Sequence, residues 1–231
     1  NFFNLICQYF KFHKGKTKML KNYMKTKKIL AEKILLENLN SINTKPKNIH
    51  KAMKYSVLNG GKRLRPILVF LSNQLFNGKE EAAYPCACSI EFIHCYSLVH
   101  DDLPALDNDT YRRGKLTCHK AFSEEIAILT GDALLTKAFE ILGNGIEEPR
   151  VLKQILIEIT AAAGSQGMIG GQVVDLECEN LNSNKNITTK QKFNLLKYIH
   201  KNKTSKLIES SLVLGALTAK TSQENIQNIR N

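Results

Sequence analysis

The segment from His94 to Arg113 reads HCYSLVHDDLPALDNDTYRR and holds four of the chain's six aspartates: Asp101, Asp102, Asp107 and Asp109. At ~100° per residue, a helix carries His94 and Asp101 on nearly the same face, with Ser97 in the gap between them. On an unbroken helix Asp107 would lie ~240° round from Asp101, too far to share an ion with it. Pro104 interrupts the hydrogen-bond ladder just after the acidic pair, so the next turn can fold back and bring Asp107 towards Asp101. Carboxylates crowded at the mouth of an apolar bundle repel one another unless a cation lies between them. A few hard oxygen donors suit Mg²⁺, which takes one or two protein carboxylates and fills its other positions with water and phosphate oxygens. The alternative, an acidic helix end that merely caps and solvates, is disfavoured because negative charge is unfavourable at a helix C-terminus.

The arginines point the same way. The chain uses 27 Lys and only 6 Arg, and four of the six fall in two pairs, Arg63/Arg65 and Arg112/Arg113. Where lysine serves for ordinary positive charge, arginine signals the planar fork that grips phosphate or carboxylate oxygens bidentately. Both pairs are therefore expected to recognise oxyanions, with surface salt bridges as the plain alternative. Metal beside arginine points to diphosphate. An EF-hand starting at Asp107 would need Gly at 112 and Glu at 118, where the chain has Arg112 and Cys118. A phosphate loop ending at Gly61–Lys62 would need Gly at 56 and Ser or Thr at 63, where it has Ser56 and Arg63.

These groups need a scaffold, and the apolar periodicity is helical almost throughout. Residues 27–40 put Ile29, Ile34, Leu35, Leu36 and Leu39 at spacings that make one apolar face. Further helices are expected over 47–59 (stopped by Gly60 and Gly61), 66–77, 80–102, 122–142, 149–168 and 188–220. The glycine-rich stretch 164–171 interrupts the last group, residues 103–120 read as a polar turn region and 179–187 as a loop. No strand alternation stands out. The expected fold is an all-α bundle without an internal domain boundary.

Composition narrows the class. With 231 residues, 43% of them hydrophobic, the chain can bury one sizeable core, and its most apolar stretches are broken by Glu91, Lys153 and Glu158 before any reaches the ~18 residues of a membrane span. The net charge is +12, but residues 1–31 hold eight lysines and no acid, which leaves four of the twelve positive charges to the rest. The basicity thus belongs mainly to an N-terminal segment, 1–25, read as a flexible or targeting extension, and a nucleic-acid partner is not expected. Six cysteines without a CxxC pair suit a reducing compartment.

GGKRLRP (60–66), IHCYSLVHDDLPALDND (93–109), RRGKLTCHKAF (112–122), GDALL (131–135), GMIGGQVVDL (167–176) and HKNKTSKLI (200–208) resemble, in order, the motifs of bacterial-type trans-isoprenyl diphosphate synthases, most nearly those that make farnesyl diphosphate. The resemblance implies an isoprenoid synthase fold over residues 26–231 and a Mg²⁺-dependent condensation of isopentenyl diphosphate with an allylic diphosphate. It implies Mg²⁺ on Asp101, Asp102 and Asp107, with Arg112 and Lys203 holding the allylic diphosphate. Lys62, Arg65, His94 and Arg113 would bind isopentenyl diphosphate, and Gln172, Asp175 and Thr204 would line the allylic side. Tyr96, with Ser97, would form the floor that limits product length, since Tyr96 lies ~7.5 Å before Asp101 along a helix axis. A homodimer is expected, in the cytoplasm, or in a plastid or mitochondrion if residues 1–25 are a targeting segment. The family carries a second aspartate-rich motif; the chain has no aspartate after Asp175, so it is expected to be C-terminally incomplete, and a geranylgeranyl diphosphate synthase or a catalytically incomplete partner subunit of such a synthase are the alternative expectations.

Overall fold

Local chemistry sets where the helices start. Pro85 and Pro149 stand in first turns, where a missing N–H costs nothing, Ser123 accepts a hydrogen bond from the Ile126 amide, and Thr188 with Gln191 forms a reciprocal capping box. The computed structural model describes residues 16–40, 45–181 and 188–230. In chain order they form α1 (Lys16–Asn40), α2 (Lys47–Val57), α3 (Leu64–Leu75), a 3₁₀ turn (Glu80–Ala83) and α4 (Tyr84–Asp101). A hairpin of β1 (Tyr111–Arg112) and β2 (Lys115–Leu116) follows, then α5 (Cys118–Ala121), α6 (Glu124–Gly145), α7 (Pro149–Ala163) and α8 (Met168–Leu181). The chain continues through α9 (Thr189–Ile199), a π-helical segment (His200–Ser205), α10 (Lys206–Thr218) and α11 (Gln223–Arg230).

The expected all-α bundle is what forms, with α4 at its centre. Eleven of the 18 residues of α4 are buried, so α1, α2, α3, α6, α7 and α10 can pack around it. Close approach depends on two glycines. A Cβ at Gly131 of α6 would lie 2.0 Å from His100 Nε2, and one at Gly215 of α10 would lie 2.2 Å from the Val69 carbonyl of α3. Fully buried Phe92, Leu134, Ile155 and Leu214 join the shared core, and truncating one such leucine to alanine costs about 2–5 kcal/mol.

Three expectations need correction. The glycine stretch is not a break to its end, because α8 begins at Met168 and takes Gly170 and Gly171 into the helix. Gly171 is there for contact: a Cβ would lie 2.2 Å from the Lys203 backbone nitrogen. The expected helix over 188–220 is continuous but opens into a π turn at its middle. The polar turn region contains a short hairpin whose two-residue loop, Arg113–Gly114, has both φ angles positive, as a type I′ turn requires.

Residues 16–25, read as part of a separate extension, run without a break into α1; residues 1–15 and 182–187 lie outside the described residues. Among the described residues no helix is long and apolar enough to cross a membrane, and Cys86, Cys88, Cys95, Cys118 and Cys178 are free thiols.

Candidate functional site

Helix α4 ends on Asp101, and the chain then folds back as the proline suggests. The Asp107 amide donates to the Asp101 carbonyl at 2.8 Å, and the Asn108 amide to the Leu103 carbonyl at 3.1 Å. Burial pushes the Asp101 carboxyl up to about 6, with Asp107 adding to the rise while Lys203 and Arg112 oppose it. Lys203 reaches this place from the π segment and donates to Asp175 Oδ2 at 2.7 Å. Burial works against its charge, but Asp175, Asp101 and Asp107 outweigh that and raise its pKa. The fold thus gathers Asp101, Asp107, Asp175 and Lys203 from three separate stretches of sequence. Gln172, one turn before Asp175, has a buried Oε1 without a partner, and Thr204 is exposed next to Lys203.

Asp102 does not join them. It is 3% exposed, and Arg112 donates to its Oδ1 from Nε at 2.6 Å, with Nη2 at 2.5 Å. One residue further round the helix than Asp101, it faces the interior, where a carboxylate is stable only when paired. Burial still raises its pKa against Arg112. Arg112, expected on a diphosphate, is held by Asp102 and, at 3.4 Å, by Asp109. Among the described residues no three His, Cys, Asp or Glu side chains lie close enough together to enclose a metal ion. The donor set that remains, Asp101 with Asp107, still fits Mg²⁺, which needs only one or two protein carboxylates when water and phosphate complete its shell.

The second grouping lies further back along α4. Lys62, Arg65, His94 and Arg113 line one cleft of about 700 Å³ between the turn after α2, α4 and the hairpin. Gly60, Gly61 and Arg63 have φ of 81°, 115° and 52°, a backbone that glycine adopts without steric cost. Arg113 closes over this turn: its Nη1 donates to the Gly60 carbonyl at 2.5 Å, and a Cβ at Gly61 would meet that same nitrogen at 2.5 Å. Burial, followed by the fields of Arg65, Arg113, Arg63 and Arg112, holds His94 well below the usual imidazole range. Burial also lowers Arg65, and Glu91 opposes the shift.

Arg63, expected to recognise an oxyanion, has its fork engaged inside the protein. It donates to Glu91 Oε1 at 2.8 Å and to the Val57 carbonyl at 2.6 Å. Sequence reasoning missed Glu91, although an acid inside the otherwise apolar run 84–99 is a visible signal. Tyr96 is 6% exposed. Its ring meets His100 edge to face at 5.9 Å, its buried hydroxyl has no partner, and burial together with Asp101 pushes it up to about 12. The Ser97 hydroxyl turns back to the His94 carbonyl at 3.0 Å.

A central helix with paired carboxylates at its end and a cationic cleft on its flank defines the class: the fold is that of the isoprenoid synthases. The apo FPP/GFPP synthase from Zymomonas mobilis superposes with a TM-score of 0.83 at 36% identity, over 91% of this chain and 74% of that one. The geranyltransferase from Legionella pneumophila gives 0.82 at 35%, over 93% and 74%.

The chain belongs to the polyprenyl synthetase family, whose sequence model matches residues 46–231. A dimethylallyltranstransferase from Fischerella ambigua is 48% identical over 182 residues, covering 78% of this chain and 50% of the relative. The heterodimeric geranylgeranyl pyrophosphate synthase large subunit 1 of Arabidopsis thaliana, named as chloroplastic, is 44% identical over 189 residues, 80% and 50%. Farnesyl diphosphate synthase of Bacillus subtilis is 40% identical over 202 residues, 84% and 66%. The chain spans about half the length of the first two.

Proposed function

We propose that the protein is a trans-prenyltransferase that joins isopentenyl diphosphate to dimethylallyl or geranyl diphosphate and delivers farnesyl diphosphate. One observation carries the reading: α4 bears a cationic cleft at His94 and a carboxylate pair at its end, seven residues on, ~10.5 Å along the axis. Two diphosphates side by side need this separation of charge. Lys62, Arg65 and Arg113 bind isopentenyl diphosphate, and His94 donates to it beside them. Lys203 and the free edge of Arg112 hold the allylic diphosphate, with Gln172, Asp175 and Thr204 beside it. Asp101 and Asp107 would hold Mg²⁺, which supplies Lewis-acid stabilisation to the departing diphosphate when bound. Asp102 acts through Arg112. The allylic C–O bond breaks, the isopentenyl double bond attacks the cation, and the proton lost in closing the new alkene passes to the released diphosphate. The chain's own part is placement and charge stabilisation in a cavity that excludes water.

Tyr96 forms the floor beneath Asp101 and limits the product to fifteen carbons. A geranylgeranyl product is the second reading, favoured by the plant relatives whose names carry it. We further propose a homodimer through the α6 face that exposes Ile128 and Leu129. The cytoplasm is the proposed location, or a plastid or mitochondrion if residues 1–25 are a targeting segment.

The test incubates the full-length protein with Mg²⁺, isopentenyl diphosphate and dimethylallyl diphosphate, and follows products by mass spectrometry. Farnesyl diphosphate is expected from the parent. Asp101→Ala is expected to lower turnover by at least ~10²-fold with the fold retained, and Tyr96→Ala to lengthen the product. A parent that condenses nothing ends the reading, and unchanged product length in Tyr96→Ala removes Tyr96 as the gauge.

A further inference from the structure

We infer that Arg63 and Glu91 are a buried positioning pair that holds the diphosphate cleft in shape; the inference rests on that cleft being the isopentenyl diphosphate site. Both residues are 2% exposed. Between α2 and α3 the chain makes a turn in which Gly60, Gly61 and Arg63 all have positive φ. A non-glycine residue in that region is strained and persists only where surrounding contacts hold it. At Arg63 those contacts come from three directions. Nη1 donates to Glu91 on α4 at 2.8 Å, Nη2 to the Val57 carbonyl at the end of α2 at 2.6 Å, and Nε lies 3.8 Å from Glu32 on α1. Arg63 is thus the peg that fixes the turn to the bundle. Lys62, Arg63 and Arg65 all line the cleft, but the Arg63 fork is taken up by Glu91 and the Val57 carbonyl, so Lys62 and Arg65 are left to face a ligand.

Glu91 does a second thing from the same position. It is the one acid among the residues that line this cleft, and its field favours the charged form of Arg65 against burial. It also sits one turn before His94 on α4, so the peg and the imidazole share a rigid base. Overall stability gives no reason to keep such a pair, because well-packed apolar residues commonly replace buried ion pairs at no loss. Its geometry is what matters to the cleft. Removing either charge would leave the other buried and unpaired, so the informative changes keep charge and alter shape.

Arg63→Lys removes the fork, since one ammonium cannot serve Glu91 and the Val57 carbonyl in the same way. Glu91→Asp keeps the carboxylate and draws it back by one methylene. In the full-length protein each is expected to raise the Michaelis constant for isopentenyl diphosphate roughly tenfold, about the worth of one charge-assisted hydrogen bond. Turnover and the Michaelis constant for the allylic diphosphate are expected to stay near parent values. Arg65→Gln, measured alongside, reports on the cleft itself. If Arg65→Gln raises the isopentenyl constant and neither pair variant does, the cleft reading stands and the pair is overturned. No effect of Arg65→Gln removes the cleft reading and the inference with it. A pair variant that lowers turnover and shifts both constants together, or loss of folding in both, makes the pair merely structural and overturns the inference.

Discussion

At the scale of single residues, His94 makes the cleft's field measurable. Its pKa is depressed by burial and by neighbouring arginines. The unfolded chain therefore takes up a proton near the ordinary imidazole value, ~6.5, while the native protein does not. The sign follows: His94 contributes stability above that pH, and the contribution is lost as pH falls below it. Replacing His94 by Asn is expected to reduce the drop in melting temperature between pH 7 and pH 5. The His94 ring resonances of the unliganded protein are expected to titrate below the ordinary imidazole range, and inorganic pyrophosphate to move the titration upward, because an anion favours imidazolium. An ordinary titration without ligand would contradict the burial and the field together. Much of this site was legible in the sequence. The spacing of His94 and Asp101 and the fold-back at Pro104 needed only helix geometry. What could not be read was which way neighbours point: Arg63 and Asp102 look like their partners Arg65 and Asp101, yet lie on the inward side, where pairing decides their role.

At the scale of elements, glycines separate packing from flexibility. Gly171 and Gly143 are both helical, but a Cβ at the first would strike the Lys203 backbone at 2.2 Å, whereas at the second nothing lies within 4 Å. Gly171→Ala is expected to push the π segment away, separate Lys203 from Asp175 and lower turnover by ~10²-fold, the order of effect a displacement near 1 Å produces. Gly143→Ala is expected to leave turnover alone and to stabilise by about 0.5–1 kcal/mol through helix propensity, read by denaturant melts of both variants. Equal outcomes would refute the contact. The same distinction explains where the sequence misled. Helix-period apolar residues announced α3, α4, α6 and α7 to within a few positions, because the core demands that period. The stretch 164–171 looked like a break, because glycine chosen for contact and glycine chosen for a turn are the same letter.

At the scale of the whole molecule, the proposed homodimer can be tested at the exposed Ile128 and Leu129 on α6. Sedimentation velocity on the full-length protein is expected to show a dimer, and Leu129→Asp a monomer, since a desolvated carboxylate has no partner there. A parent that runs as a monomer would remove the dimer proposal. The π segment has a molecular consequence of another kind. α9, the π turn and α10, of 11, 6 and 13 residues, follow one another without interruption, a rod roughly 45 Å long at ~1.5 Å per residue. A π turn houses one residue more than an α turn over the same path. The rod is therefore a screw with one skipped thread: Lys203 is in step with α8 upstream, and Leu207 and Leu214 are in step with the core downstream. Deleting any one residue between 200 and 205 would restore a regular thread and leave the two ends in phase, so the change would fall on the residues inside the turn, Lys203 among them. The cost of such a deletion is therefore expected at the contact between Lys203 and Asp175 rather than in the α10 core, which makes the extra residue a spacer for that one cation.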